Sequence, residues 1–323
     1  MGTSLCLDSI DQLRCELTPS LRGTPTVELA ALADSKAGIS LVGKLELWQI
    51  TGSFKARGAL ANVRAMSPAQ RSRGVTAVSA GNHAIATAFA AASCGVDAKL
   101  VMTASAPDVR VQRCEAFGAR VERADDVHQA FERVAEIEND EKRVFVHPFE
   151  GELTARATAG VGRELMLDAP SLDAVIVPVG GGGLAAGVSA AVKLTQPSCE
   201  VFGVEPVGAN SMQQSIAAGK PVRLDAVTSI ADSLGAPMAL PISFAHCQRY
   251  LDDIVTVTDS ALRAAMCEIH RTLMMAVEPA CAAGLAAARG PLRERLRGKR
   301  VGIVFCGSNI DLATWLTLAG DES

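Results

Sequence analysis

The chain predicts an α/β fold of two domains, each a mostly parallel sheet flanked by helices. Three observations carry this. Short apolar, β-branched runs alternate with longer alanine-rich stretches of helical character, the mark of βαβ units. The 323 residues exceed what one hydrophobic core usually serves. The runs also fall into two sets, within residues 50–145 and 171–323, with no repeat, low-complexity tract or flexible linker between them.

In order, GVTAVS (74–79) reads as a strand, and HAIATAFAAASC (83–94) as a helix that Gly95 ends. AKLVM (98–102) is the next strand. Residues 107–117 form a helix opening on Pro107 and Asp108, followed by a short strand at 119–122 and a helix from about 125 to 137. VFVH (144–147) closes the first set. AVIVPV (174–179), VFGVEP (201–206) and residues 301–305 are strands of the second set, with helical segments between them. Periodicity alone does not say which set residues 1–45 join.

Composition narrows the function. Hydrophobic residues make up 49% and charged residues 20%, with net charge −4 and both signs spread along the chain. No basic patch or arm is present, which argues against nucleic acid as a partner. The N-terminal MGTSLCLDSIDQLRCEL carries two aspartates and lacks the apolar core of a signal peptide. No uncharged apolar run reaches membrane-spanning length, so no membrane partner is expected. The nine cysteines are odd in number and irregularly spaced, with no CxxC, and the five histidines show no HExxH. That pattern predicts free thiols in a reducing compartment and a cytoplasmic location.

Four short stretches carry chemistry. TGSFKARGA (51–59) sets Lys55 between two glycines just after an apolar-rich run. It reads either as a surface lysine or as an amine that attacks a carbonyl. VPVGGGGLAAG (177–187) is a strand end, four glycines and a helix start. Backbone N–H groups there can approach an anion closely, and a helix N-terminus favours negative charge. The loop lacks the lysine and hydroxyl of GxxxxGK[ST] and is not GxGxxG with a following acid, so one phosphate fits better than a dinucleotide. SAGNHAIA (79–86) repeats the strand–turn–helix pattern. It reads either as a simple capping motif at Asn82 or as a seat for a carboxylate. CGSNID (306–311) puts a thiol and small polar groups at the end of the last strand, where open α/β sheets bind ligands, although a buried free cysteine is also common. A reactive lysine, a single-phosphate cradle, a carboxylate seat and a polar strand end together suit pyridoxal 5'-phosphate, an aldehyde that serves as an electron sink for amino-acid chemistry.

The ordered set resembles the pyridoxal-phosphate enzymes of fold type II, the tryptophan-synthase-β-like group, and within it the threonine/serine dehydratases and their serine-racemase relatives. The likeness runs nearly end to end through TPTVEL (24–29), KLELWQITGSFKARGA (44–59), SAGNHAIATAFAA (79–91), VFVHPFE (144–150), VPVGGGGLAAG (177–187), FGVEP (202–206), VEPACAAGLAA (277–287) and CGSNID (306–311). It implies that Lys55 carries the cofactor covalently and moves the substrate's α-proton, that Phe54 packs beside the cofactor, and that Asn82 bonds the ring hydroxyl. It further implies that Gly180, Gly181, Gly182 and Gly183 hold the phosphate, that Glu278 lies near the ring, and that Cys306 meets the ring nitrogen as a neutral thiol. Ser79, Ala80, Gly81, Asn82 and His83 would bind the substrate carboxylate.

The resemblance also implies a layout and a reaction. Residues 1–47 plus 148–323 would form a large cofactor-binding domain and residues 48–147 a small one, in a homodimer. The activity implied is elimination of water from a β-hydroxy amino acid, giving a 2-oxo acid and ammonia. Threonine and serine are the default substrates, with phenylserine, hydroxyaspartate or a hydroxyectoine-derived compound as further candidates. Ala80 stands where serine racemases carry a second serine, which disfavours racemisation; GGGGL and SAGNH replace the GTGGT and TSGNT of β-replacement synthases. A catalytically silent amino-acid-binding protein is the alternative of another class. The family's cation site would fall on Glu205, the Ala209 carbonyl and position 211, but Ser211 replaces the acid expected there, so Mg2+ or a monovalent ion is at most an added ligand.

Overall fold

The computed structural model describes residues 5–320. The apolar runs become two separate sheets. Six strands, β1 (Thr26–Glu28), β2 (Ser40–Lys44), β7 (Ala174–Pro178), β8 (Glu200–Pro206), β9 (Asp253–Val257) and β10 (Arg300–Val304), lie in the order β1-β2-β10-β7-β8-β9. The other four, β3 (Val75–Val78), β4 (Ala98–Thr103), β5 (Arg120–Ala124) and β6 (Val144–Phe145), lie in the order β5-β4-β3-β6. Every pairing is parallel except β1 with β2. The ladder between β2 and β10, with Leu41 opposite Val301, joins the N-terminal segment to the second set of strands.

Small residues let helices lie close on the larger sheet. Gly183–Thr195 and Pro279–Arg289 are alanine-rich and almost wholly buried. A Cβ on Gly284 would fall 2.5 Å from Ile303 Cγ2, so only glycine permits that contact with β10. The smaller sheet is covered on one side by Asn82–Ser93, against which Lys55–Arg64 packs, while Val127–Glu141 packs against β3 and β4. Its core also takes in Leu17 and Ala157 from segments outside 48–147.

The structure differs from the sequence expectation mainly at edges. VFVH contributes only Val144–Phe145 to an edge strand, and the helix expected to end near 137 continues to Glu141. β1 and β9 are edge strands with mixed burial, and β2 hides behind Lys44. That lysine is nevertheless fully buried, donating to the Thr24 carbonyl at 2.7 Å and pairing with Glu164 at 2.7 Å. The segments carrying Lys55, Ser79–Asn82, the glycine loop and Cys306–Asn309 follow β2, β3, β7 and β10 at their C-terminal ends, so both sheets present motifs to one cleft.

Candidate active site

Lys55 is the first residue of its helix, and the loop before it is fastened to the end of β10. Phe54 N–H donates to the Cys306 carbonyl at 3.1 Å, and Ser308 N–H donates to the Gly52 carbonyl at 3.0 Å. Two residues on, the buried Arg57 guanidinium donates to Glu46 and to Glu164, which anchors the helix start from the other side. Lys55 Nζ donates to the Pro148 carbonyl at 2.6 Å and lies 5.0 Å from the centre of the Phe54 ring. Burial lowers its pKa to about 8, because a charged amine loses its hydration there. His83 and His147 flank it and stay neutral, since burial lowers them to about 3 and about 4. His83 Nε2 lies 2.7 Å from the Val146 carbonyl, and His147 Nδ1 accepts from the N–H groups of Phe149 and Glu150.

The four glycines lie against Phe149 and the first turn of the helix Gly183–Thr195. Gly182 has φ of +90°, a conformation other residues rarely adopt. A Cβ on Gly181 would meet the Phe149 ring at 2.3 Å, and one on Gly183 would meet the Phe149 carbonyl at 2.5 Å. Close packing thus forbids side chains here. It also leaves backbone at the helix N-terminus, whose first N–H groups have no partner within the helix. Phe54, Lys55, Asn82, Gly180–Gly183, Glu278 and Cys306 all line one narrow cavity over this loop.

The far side of that cavity is polar. Asn82 Nδ2 donates to Glu278 Oε1 at 2.7 Å, and Asn309 Nδ2 donates to Asn82 Oδ1 at 2.5 Å. Glu278 is buried; desolvation, helped by the Asp232 charge, raises its pKa to about 7. Its Oε2 and the Ser53 hydroxyl are buried without hydrogen-bond partners. Cys306 lies buried beside Cys281, whose thiol holds the Cys306 pKa well above the usual range, so the sulfur stays protonated.

A second cavity of about 250 Å³ opens from Lys55 and Asn82. Ser79, Ala80, Gly81 and His83 line it, facing Asp232 and Ser233 across the opening. Gly81 N–H is already bonded to the Ser79 hydroxyl at 3.1 Å, and the N–H groups of Asn82 and His83 at the helix start have no partner within the helix. The expected cation residues lie apart from both cavities' linings. Glu205 accepts from Met212 and Gln213 N–H at 2.9 and 2.8 Å, so its carboxylate caps the helix Ser211–Ala218. Ala209 is buried, and the Ser211 hydroxyl has no partner. Among the described residues no group of three histidine, cysteine or acidic side chains could hold a metal.

Sequence reasoning missed Asp232 and Ser233, which lie in the short 3-10 turn Asp232–Leu234, and Arg110, which sits in the first turn of the helix Asp108–Ala116. Asn309 is visible in the sequence only as part of CGSNID. A charge shortly after the C-terminal end of β4 is the available signal for Arg110; Asp232 has none. No helix among the described residues is long and apolar enough to cross a membrane.

Comparison with known proteins agrees with this geometry. Residues 17–307 match the family described as pyridoxal-phosphate dependent enzyme. The chain is 48% identical to the phenylserine dehydratase of Ralstonia pickettii, covering 96% of this chain and 94% of that one. It is 33% identical to the L-threonine ammonia-lyase of Thermotoga maritima, covering 95% of this chain and 76% of the other. The solved structure of maize serine racemase superposes with a TM-score of 0.91 at 32% identity, covering 99% of this chain and all of that one. The chain belongs to the pyridoxal-phosphate-dependent enzyme family, fold type II.

Proposed function

We propose that this pyridoxal-phosphate-dependent enzyme is a dehydratase, or ammonia-lyase, that removes water from a β-hydroxy amino acid bearing a neutral, aromatic side chain such as phenylserine. The products are a 2-oxo acid and ammonia. The observation that carries the reading is Lys55: a part-buried, readily deprotonated amine on the wall shared by two cavities, with Ala80 lining the larger one and offering no proton donor.

The residues fit the cofactor. The narrow cavity supplies an amine, a side-chain-free helix start, and a buried Glu278 oxygen, Oε2, with no other partner. Bound there, pyridoxal phosphate supplies an electron sink at the substrate's α-carbon. Lys55 holds it and takes the α-proton. The Gly180–Gly183 backbone receives the phosphate, Asn82 offers its amide to the ring hydroxyl, and Glu278 borders the ring. Cys306 gives the ring nitrogen a neutral thiol. The helix start at Asn82 and His83 takes the substrate carboxylate, with Ser79, Ala80 and Gly81 forming the turn beneath it.

Substrate class follows from charge. The larger cavity's lining holds no cation besides Lys55 to pair with a second carboxylate, which favours a neutral side chain over hydroxyaspartate. Phe149 offers an aromatic wall, and the relative of highest identity named above acts on phenylserine. We place the domain boundary at 48–147 for the small domain, with 1–47 and 148–323 forming the large one. A homodimer is proposed as the assembly, supported by the exposed Leu312 and Leu316 one turn apart on the last helix. The cytoplasm is the proposed location.

The test is 2-oxo acid release from phenylserine, threonine, serine and 3-hydroxyaspartate, with Lys55→Ala as the blank. Phenylserine should turn over best and hydroxyaspartate worst. A yellow protein silent on the whole panel would refute the dehydratase reading and leave racemisation or β-replacement. A preference for hydroxyaspartate would refute the neutral side chain.

A further inference from the structure

Arg110 belongs to the helix Asp108–Ala116 beside the smaller sheet and is only 8% exposed. Its guanidinium reaches three separate segments. Nε donates to the Asn309 carbonyl at 3.0 Å. Nη1 donates to Asp232 Oδ2 at 2.9 Å and to the Ala80 carbonyl at 3.3 Å. It also packs on the turn itself, since a Cβ on Gly81 would come 3.2 Å from Arg110 Nη1.

Each of those segments continues into the cleft. Asp232 Oδ1 accepts from the Ser233 N–H at 2.7 Å and from its hydroxyl at 3.2 Å, and both residues line the larger cavity. Asn309 bonds Asn82, which borders both cavities, and Arg113 on the same helix bonds the Asn309 side-chain oxygen. The Ala80 turn is the carboxylate side of the larger cavity. One buried cation therefore ties the turn, the facing loop and the end of β10 together across the mouth of the cleft.

We propose that Arg110 is a positioning residue that completes the substrate cavity by latching the Asp232–Ser233 loop and Asn309 to the Ser79–Asn82 turn. It touches neither cofactor nor substrate. Its partner is Asp232, so the two side chains act as one unit, and the effect is on amino-acid binding and cavity closure, not on cofactor retention. This rests on the assignment of the larger cavity to substrate.

The experiment uses the yellow holoenzyme with Arg110→Met, Asp232→Asn and the double variant. Each single variant should raise KM about tenfold with kcat changed far less, and the double should be no worse than either single, because removing one partner already removes the contact. Iodide should quench cofactor fluorescence more strongly in each variant, with cofactor content unchanged. Unchanged KM in Asp232→Asn, multiplying effects in the double, or unchanged quenching would each overturn the latch. Asp232 is largely exposed on the loop, so its variant carries the test if Arg110→Met does not fold. Quenching needs no turnover: a protein silent on every substrate whose variants still quench more would sink the dehydratase reading and leave the latch standing.

Discussion

Replacing Arg57 with methionine tests whether the start of the lysine-bearing helix is held by charge. Arg57 makes four bonds: to Glu46 Oε1 and Oε2 at 2.8 Å each, and to Glu164 Oε1 and Oε2 at 2.7 Å each. Its side chain is 4% exposed, that of Glu46 0% and that of Glu164 14%. Methionine keeps most of the apolar stem and removes the cation. Glu164 keeps Lys44, but Glu46 is left with the Thr24 hydroxyl, a buried carboxylate without a counter-charge. Breaking a buried pair in this way costs about 3–5 kcal/mol. With an unfolding entropy of about 2.1 cal/mol/K per residue, a chain of 323 residues loses about 4–7 °C in Tm. Differential scanning calorimetry on the holoenzyme reads this directly. Arg57→Met with Glu46→Gln should recover part of the loss, because the stranded charge goes with it. A drop below about 1 °C in Arg57→Met, on that same entropy scale, would show that the carboxylates are solvated and the network is not a clamp.

Three further outcomes follow from the site. Protein stripped of cofactor should turn yellow with added pyridoxal phosphate at a rate that rises with pH up to about 8 and levels above it, because only the neutral Lys55 amine attacks; a flat profile in stopped-flow absorbance would contradict the lowered pKa. Glu278 has its folded pKa raised from 4.5 to about 7, so the folded state holds an extra proton between those values. Its stabilising contribution is full below 4.5 and is lost as pH rises to about 7, a difference of about 3 kcal/mol. Stripped Glu278→Gln should therefore gain Tm relative to the parent across that window, and a constant offset would refute the assignment. Ala80→Ser should raise racemisation relative to elimination, measured as D-isomer formed per 2-oxo acid released; an unchanged ratio would remove the argument from the missing proton donor.

The parts of the site legible in the sequence are those where chemistry and local backbone demand the same residue. Gly182 at positive φ and Gly181 against the Phe149 ring must be glycine whatever binds there, so the loop stands out as four consecutive symbols. Lys55 stands out because a lysine followed by a buried helix is unusual, and its cause, the fastening of residues 52–54 to the end of β10, is invisible until the two segments are seen side by side. Strands buried on both faces, such as β7, read directly as apolar runs. Lys44 shows the converse: a charge buried inside β2 breaks the run and hides the strand, because its partners Glu164 and the Thr24 carbonyl are 120 and 20 residues away. Arg110 and Asp232 are hidden for the same reason, being 122 residues apart in the chain. A sequence shows what a residue requires of its neighbours in the chain; it does not show what an ionised side chain finds across a cleft. The residues that join the two halves of this cleft are therefore the ones the sequence keeps silent about, and Arg110 holds the substrate side in the way that Arg57 holds the lysine side.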